Sequence, residues 1–195
     1  MKSSDYSPDR WLDFLRLTDP ELVAKARRDV YKSGGKGGQK KNKVENAIRL
    51  TLGRLQVSDT ASRSKEENLA GALRKLRLAI ALDYLKGTEL RVLQVRPPKE
   101  IQSYLGQEEI RINPKNPAYP LYIGYFLDRF LAQGCDFGKL ALELGTSKSQ
   151  VRKFVERYPA LLAVTREAQE FGLLIGLLRP AQPQPPVPEK PVEDR

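Results

Sequence analysis

The stretch Asp29-Val30-Tyr31-Lys32-Ser33-Gly34-Gly35-Lys36-Gly37-Gly38-Gln39-Lys40-Lys41-Asn42-Lys43, with Asn46-Ala47-Ile48-Arg49-Leu50-Thr51-Leu52 after it, reads as strand, glycine loop, strand. Asp29 to Lys32 is a brief extended segment, and Asn46 to Leu52 alternates apolar with polar residues as a half-buried strand does. Between them, Gly37 and Gly38 admit backbone conformations that a Cβ forbids, so the peptide before Gln39 can turn tightly and approach another molecule's backbone. Ordering such a loop costs chain entropy, which a bound partner has to offset. Five lysines, at 32, 36, 40, 41 and 43, flank and interrupt the glycines. Each can displace a condensed counterion from a phosphate. Lysines interleaved with glycines are poor material for a solvated helix face. The pattern is that of a loop that meets RNA.

Moving outward, Gly53-Arg54 separates the second strand from Leu55-Gln56-Val57-Ser58, a spacing suited to a two-residue hairpin. Ser64-Lys65-Glu66-Glu67 has the form of a capping box opening a helix. Leu69, Ala72, Leu73, Leu76 and Ile80 recur on one face of that helix, which must cover the sheet, and Gly87 is the expected stop. Arg74, Lys75 and Arg77 lie on its other side, either as a solvated flank or as an extra contact to RNA phosphate. A short helix is expected at Pro20 to Ala26, and Trp11, Phe14 and Leu15 read as helix core.

Pro97-Pro98 and the prolines at 114, 117 and 120 mark a linker, after which Tyr119 to Phe171 reads as helices. Within that half, Asp136 to Leu144, Gly145, and Ser147-Lys148-Ser149-Gln150 opening Val151 to Tyr158 form a helix-turn-helix-like pattern. Its second helix presents Lys148, Arg152, Lys153 and Arg157, either as a surface for RNA or a nucleic-acid groove or as an ordinary solvated face. From Ala181 the chain is proline-rich and slightly acidic, the composition of an extended, disordered tail. The expected fold class is α+β: a small mixed sheet with one covering helix, then an all-α helix-turn-helix-like module and a disordered tail. The expected divisions are 1–96, a linker at 97–118, the helical module at 119–179 and the tail at 180–195.

The charge is unevenly placed. Of the net +10, residues 31–99 hold sixteen basic and six acidic groups, while residues 1–30, 100–179 and 180–195 are each close to balanced. The electrostatic footprint therefore falls on the segment with the glycine loop, as in a polyanion-binding domain. The chain has no histidine and one cysteine, Cys135. An internal disulfide is thereby excluded, metal catalysis is disfavoured, and no metal or other cofactor is expected. Cys135 has no general base near it in sequence and reads as inert. The charged N-terminal segment and the short apolar run Leu173 to Leu178 predict neither a leader nor a membrane span, hence a cytoplasmic protein.

Ser33 to Leu50 resembles the loop and following strand of the class-I peptide chain release factors. Those proteins read Gly-Gly-Gln, two residues, Asn, and then Ala-Val-Arg; here these are Gly37-Gly38-Gln39, Asn42 and Ala47-Ile48-Arg49. A second family element, Arg-Ser followed by Asn at a helix start, is similar to Arg63-Ser64 with Asn68. The resemblance covers about residues 19 to 86. It implies hydrolysis of the peptidyl-tRNA ester in the ribosome's peptidyl transferase centre, with Gly37, Gly38 and Gln39 as the catalytic residues. Water attacking the ester builds an oxyanion that a rigidly placed backbone N–H stabilises, and by resemblance that N–H belongs to Gln39. The Gln39 side chain would admit water and exclude larger nucleophiles. Asn42 would brace the loop, and Lys32, Lys36, Lys40, Lys41, Lys43, Arg49 and Arg63 would contact ribosomal RNA. Outside the resemblance, Lys148, Arg152 and Lys153 of the helix-turn-helix-like pattern are candidates for further RNA contacts. Two departures stand out: Lys40-Lys41 where members usually carry His-Val, and Gly34 where serine is common.

The implied partners are the ribosome, through large-subunit RNA and peptidyl-tRNA, and a glutamine methyltransferase acting on Gln39, with the chain a monomer. A stop-codon-decoding factor has a large additional domain for which the residues before the loop leave no room, so the expected role is rescue of stalled ribosomes. The basic tail with which rescue factors as a family sense an empty messenger channel is not matched here, which points to the helical half for targeting. The competing reading is a nucleic-acid-binding protein or regulator led by the helix-turn-helix, its glycine loop serving only as an RNA clamp.

Overall fold

A computed structural model describes residues 6–32, 46–86 and 89–175. The tail expected at 180–195 lies outside the described residues, as does the helix stop expected at Gly87. Strands β1 (Arg27–Tyr31), β2 (Ala47–Leu52) and β3 (Leu55–Asp59) form a sheet in that order, and both pairings are antiparallel. Antiparallel pairing follows from the short β2–β3 connection: Leu52 faces Leu55 across the two-residue turn, where Gly53 has φ +55°. Glycine takes that conformation without steric cost. The fold class is thus α+β.

Helix α3 (Lys65–Leu82) covers β2 and β3. Ile48, Leu50 and Leu52 share one face of β2, the period-2 set read from the sequence, and are buried with Ala72, Leu76 and Ile80 of α3. Ser64 caps the helix by accepting from the Glu67 N–H at 3.2 Å. The reciprocal half of the box is replaced: Glu67 takes the Ser62 hydroxyl, and Ser62 Oγ in turn accepts from the Ser64 N–H. The helix ends at Asp83, whose carboxylate binds Arg54 of the hairpin turn and the Tyr6 hydroxyl. The chain then forms the small ladder of β4 (Leu85–Lys86) with β5 (Glu89–Leu90).

Before the sheet come α1 (Trp11–Arg16) and α2 (Asp19–Lys25), joined by a turn that Arg77 of α3 holds. Its guanidinium donates to the carbonyls of Leu15 and Leu17 and to Asp19 at 2.7–2.9 Å. Lys75 is likewise engaged, with Asp59 at 3.0 Å. Of the three cations on that side of α3, Arg77 and Lys75 are therefore structural, and Arg74 is exposed.

The stretch 97–118 contains a 3₁₀ turn, Lys99–Tyr104, with Ile101 fully buried. Then come α4 (Tyr119–Ala132), α5 (Phe137–Leu144), α6 (Lys148–Arg157) and α7 (Pro159–Ile175). Helix α4 packs on α3 and α1, and one continuous set of buried side chains runs from β2 through α3 and α4 to α6. Trp11 is the close-packed point of that junction. A Cβ at Gly124 would stand 2.3 Å from Trp11 Cζ3, and the ring, fully buried, has nowhere to go. Gly124→Ala is expected to cost about 2–3 kcal/mol, the upper range for overpacking, read as a lower urea midpoint at unchanged slope. Among the described residues no helix is long and apolar enough to cross a membrane.

Candidate functional site

The chain leaves the sheet after Tyr31 and re-enters at Ala47, these two being the last paired residues of the β1–β2 ladder. The β1–β2 connection therefore starts and ends at one end of the sheet, the end at which Asn46 meets the first turn of α3. Gly37, Gly38, Gln39, Lys36, Lys40, Lys41, Asn42 and Lys43 fall in that connection and lie outside the described residues. The described residues on either side, Lys32 and Asn46, form the mouth of the connection.

A buried amide network holds the mouth. Asn68, in the first turn of α3, is fully buried. Its Nδ2 donates to the Asn46 carbonyl at 2.7 Å and to the Ser62 carbonyl at 2.9 Å, and its Oδ1 accepts from the Ser62 N–H at 2.8 Å. Asn46, itself buried, sends its own Nδ2 to the Ser62 carbonyl at 3.1 Å. One side chain thus ties the strand that receives the loop to the segment before α3. A buried amide so bonded is stable only with all its partners in place, which fixes the local backbone. Asn68→Ala would strand the main-chain groups of Asn46 and Ser62. We expect a loss of about 2–3 kcal/mol in chemical denaturation, with Asn68→Asp losing at least as much, because a carboxylate oxygen would replace the amide donor against the Asn46 and Ser62 carbonyls in a fully buried site.

Asp59 at the end of β3 strengthens this corner. It accepts from the Ala61 N–H at 3.0 Å and pairs with Lys75, and Gly71 of α3 passes so close that a Cβ there would lie 2.4 Å from Asp59 Oδ2. Burial pushes the Asp59 carboxyl up, but the Ala61 N–H and the Lys75 ammonium outweigh it and hold it below the usual carboxylate range.

The remaining sequence-derived site residues are placed differently from one another. Arg49 is half-buried on the sheet face away from α3, its guanidinium 4.8 Å from the centre of the Tyr31 ring, opposite Asp29 on β1 and Ser58 on β3. It braces the two strands that carry the loop. Lys32 and Arg63 are exposed, one at the end of β1 and the other between Ser62 and the α3 cap, so both stand at the mouth. Lys148, Arg152 and Lys153 are exposed on α6, which packs on α5 and α7. Cys135 is buried, and burial pushes its thiol up to about 11, which removes it as a nucleophile at neutral pH.

Asn46 and Ser62 were not singled out from the sequence. The signal available was Asn68 itself, which continues the i, i+4 row of Ala72, Leu76 and Ile80. A polar residue on an apolar stripe needs buried partners.

Residues 23–119 match the family model of the RF-1 domain. This segment is an RF-1 domain of the release-factor-like family. The match extends beyond the motif-bearing segment to the start of α4, and so takes in β4, β5 and the packed stretch before α4. No curated protein and no solved structure matches the chain. The RF-1 domain supports a release-factor-like function in peptidyl-tRNA hydrolysis and implies interaction with the ribosome.

Proposed function

We propose that this protein releases the nascent chain from stalled ribosomes, with Gly37-Gly38-Gln39 as the catalytic element, and does not decode stop codons. The observation that supports the reading is the amide network of Asn68, which ties Asn46, where β2 begins after the Gly-Gly-Gln sequence, to the segment before α3. A hydrolytic element that works by position alone needs such a base, because each ångström of play at the tip weakens a bond to the oxyanion. The Gln39 N–H supplies that bond, its side chain selects water, and the two glycines permit the backbone path. No proton-transferring side chain of this chain is required, in keeping with a sequence without histidine.

Lys32, Lys36, Lys40, Lys41, Lys43 and Arg63 would bind ribosomal RNA phosphate around the mouth and Asn42 would brace the loop. Arg49 acts beneath them through Tyr31. Residues 8–31 serve the fold of the domain itself: α1 is buried against α3 and α4, and β1 pairs with β2. The protein acts in the cytoplasm as a monomer, and Gln39 is a candidate for methylation by a glutamine methyltransferase. The test is release of formyl-methionine from initiator tRNA on purified bacterial ribosomes with an empty A site, a sense codon or a stop codon. Release should be fastest with the empty site. Faster release at the stop codon would overturn the rescue assignment, and no release in any state would overturn the catalytic one.

A further inference from the structure

We infer that the exposed face of α6 is a second RNA contact, one that grips the sugar-phosphate backbone of double-helical RNA. It rests on the ribosome-bound reading for the choice of RNA over DNA, and on the geometry of the helix for the rest.

The helix is held rigidly before any partner arrives. Asp136 caps α5 by accepting from the N–H groups of Gly138 and Lys139 at 2.6 and 2.9 Å, and Gly145, at φ +69°, ends it. Ser147 then caps α6, and the Thr146 hydroxyl fastens the turn to the Glu108 carbonyl at 2.6 Å. On the inner face Phe154 packs against the rings of Tyr122, Phe126 and Tyr158 at 5.2–5.6 Å between centroids. The outer face is therefore presented in one orientation, and its backbone needs no ordering on binding.

That outer face is Lys148, Ser149, Arg152, Lys153, Glu156 and Arg157, all exposed. Four cations stand against one acid on the helix. Of the acids facing them from other elements, Glu109 lies in the field of Lys153 and Arg157 and is already bound to Arg111 at 2.6 Å, and Asp136 lies in the field of Lys148 and is already engaged as the cap of α5. Helix stability does not explain the pattern. The first turn carries Lys148 and no acid, so its charge opposes the helix dipole, whose N-terminal end favours anions. An external polyanion resolves both features.

Ten residues span about 15 Å. The deep, narrow major groove of A-form RNA excludes a helix, whereas its wide minor groove exposes phosphates and 2′-hydroxyls to one lying across it. Lysine and arginine reach the phosphates, and Ser149 can exchange a hydrogen bond with a 2′-hydroxyl. The contact reads shape and charge, not sequence.

The test measures binding of the full chain to a fluorescent 20-base-pair RNA duplex, and to the DNA duplex of the same sequence, across a salt series. The variant is Lys148→Glu/Arg152→Glu/Lys153→Glu, with folding checked by circular dichroism. RNA affinity should fall at least tenfold, and the slope of log affinity against log salt should become shallower by about 2–3, one step per lost phosphate contact. Should the triple variant melt early, Arg152→Gln alone should lose about threefold in affinity and about one unit of slope. Unchanged affinity and slope, or preference for the DNA duplex, would overturn the proposal. The assay contains neither ribosome nor peptidyl-tRNA, so a failure of the hydrolytic reading leaves its result untouched.

Discussion

Replacing Gly38 with alanine should abolish most release on the ribosome, lowering its rate by about 10²–10³-fold, the loss typical when one oxyanion donor is misplaced. The substitution adds only a methyl group, but under the proposed mechanism it closes the backbone region through which the Gln39 N–H would point at the developing charge. Gln39→Ala makes the complementary case. It keeps the main-chain N–H and removes the side chain, so hydrolysis should stay within about tenfold of wild type, far above the Gly38→Ala level. Selectivity should be lost instead, and added hydroxylamine should begin to compete with water for the ester. Timed release of formyl-methionine with and without hydroxylamine separates the two roles. Equal, complete loss in both variants would assign the catalysis to the side chain and contradict the main-chain account.

The second large effect lies away from the loop. Arg91, just beyond β5, and Asp128 of α4 are both fully buried, and Arg91 Nε donates to Asp128 Oδ1 at 2.5 Å. Arg91 also donates to the carbonyls of Ala81, Asp83 and Gly124 at 2.8–3.2 Å, and its guanidinium sits 4.7 Å from the Trp11 ring centre. The other Asp128 oxygen accepts from the Gln94 N–H at 3.0 Å. One pair thus joins the end of α3, α4 and α1. Removing either partner leaves a buried charge uncompensated, and Arg91→Ala or Asp128→Ala should each cost about 3–5 kcal/mol in urea unfolding. The double change Arg91→Met/Asp128→Leu removes both charges and should recover much of that loss. A cost below about 1 kcal/mol for either single change, the range of exposed pairs, would show the pair to be peripheral.

That pair marks the boundary of what the sequence disclosed. Alternation in Ile48, Leu50 and Leu52 and the row Ala72, Leu76, Ile80 announced the sheet and its covering helix because each periodicity is local to a few residues. Gly53, Ser64, Asp136, Gly145 and Ser147 marked turns and caps for the same reason: their chemistry acts on the adjacent backbone. Arg91 and Asp128 are 37 residues apart, and nothing in either neighbourhood distinguishes them from surface charges. The end of α3 was placed too late, at Gly87, because Asp83 stops the helix through bonds to Arg54 and Tyr6 that only the folded chain brings together. Arg77 and Lys75 looked like surface cations and proved to be fasteners, since helical spacing does not show what packs alongside.

At the candidate site the balance is similar. The Gly-Gly-Gln sequence is contiguous and therefore legible, as is the Arg-Ser…Asn element. The work of Asn68 is legible only in the fold, where its amide meets Asn46 and Ser62. That network ties the second sequence element, at the start of α3, to Asn46, from which β2 sets out.

The most direct measurement is the hydrolysis of formyl-methionyl-tRNA by the wild-type protein, on ribosomes carrying it in the P site and with the same tRNA free in solution. The account predicts rapid release on the ribosome and none above background in solution, because the chain positions an N–H against an ester that only the peptidyl transferase centre presents. No release on ribosomes, or equal rates in both settings, would contradict it.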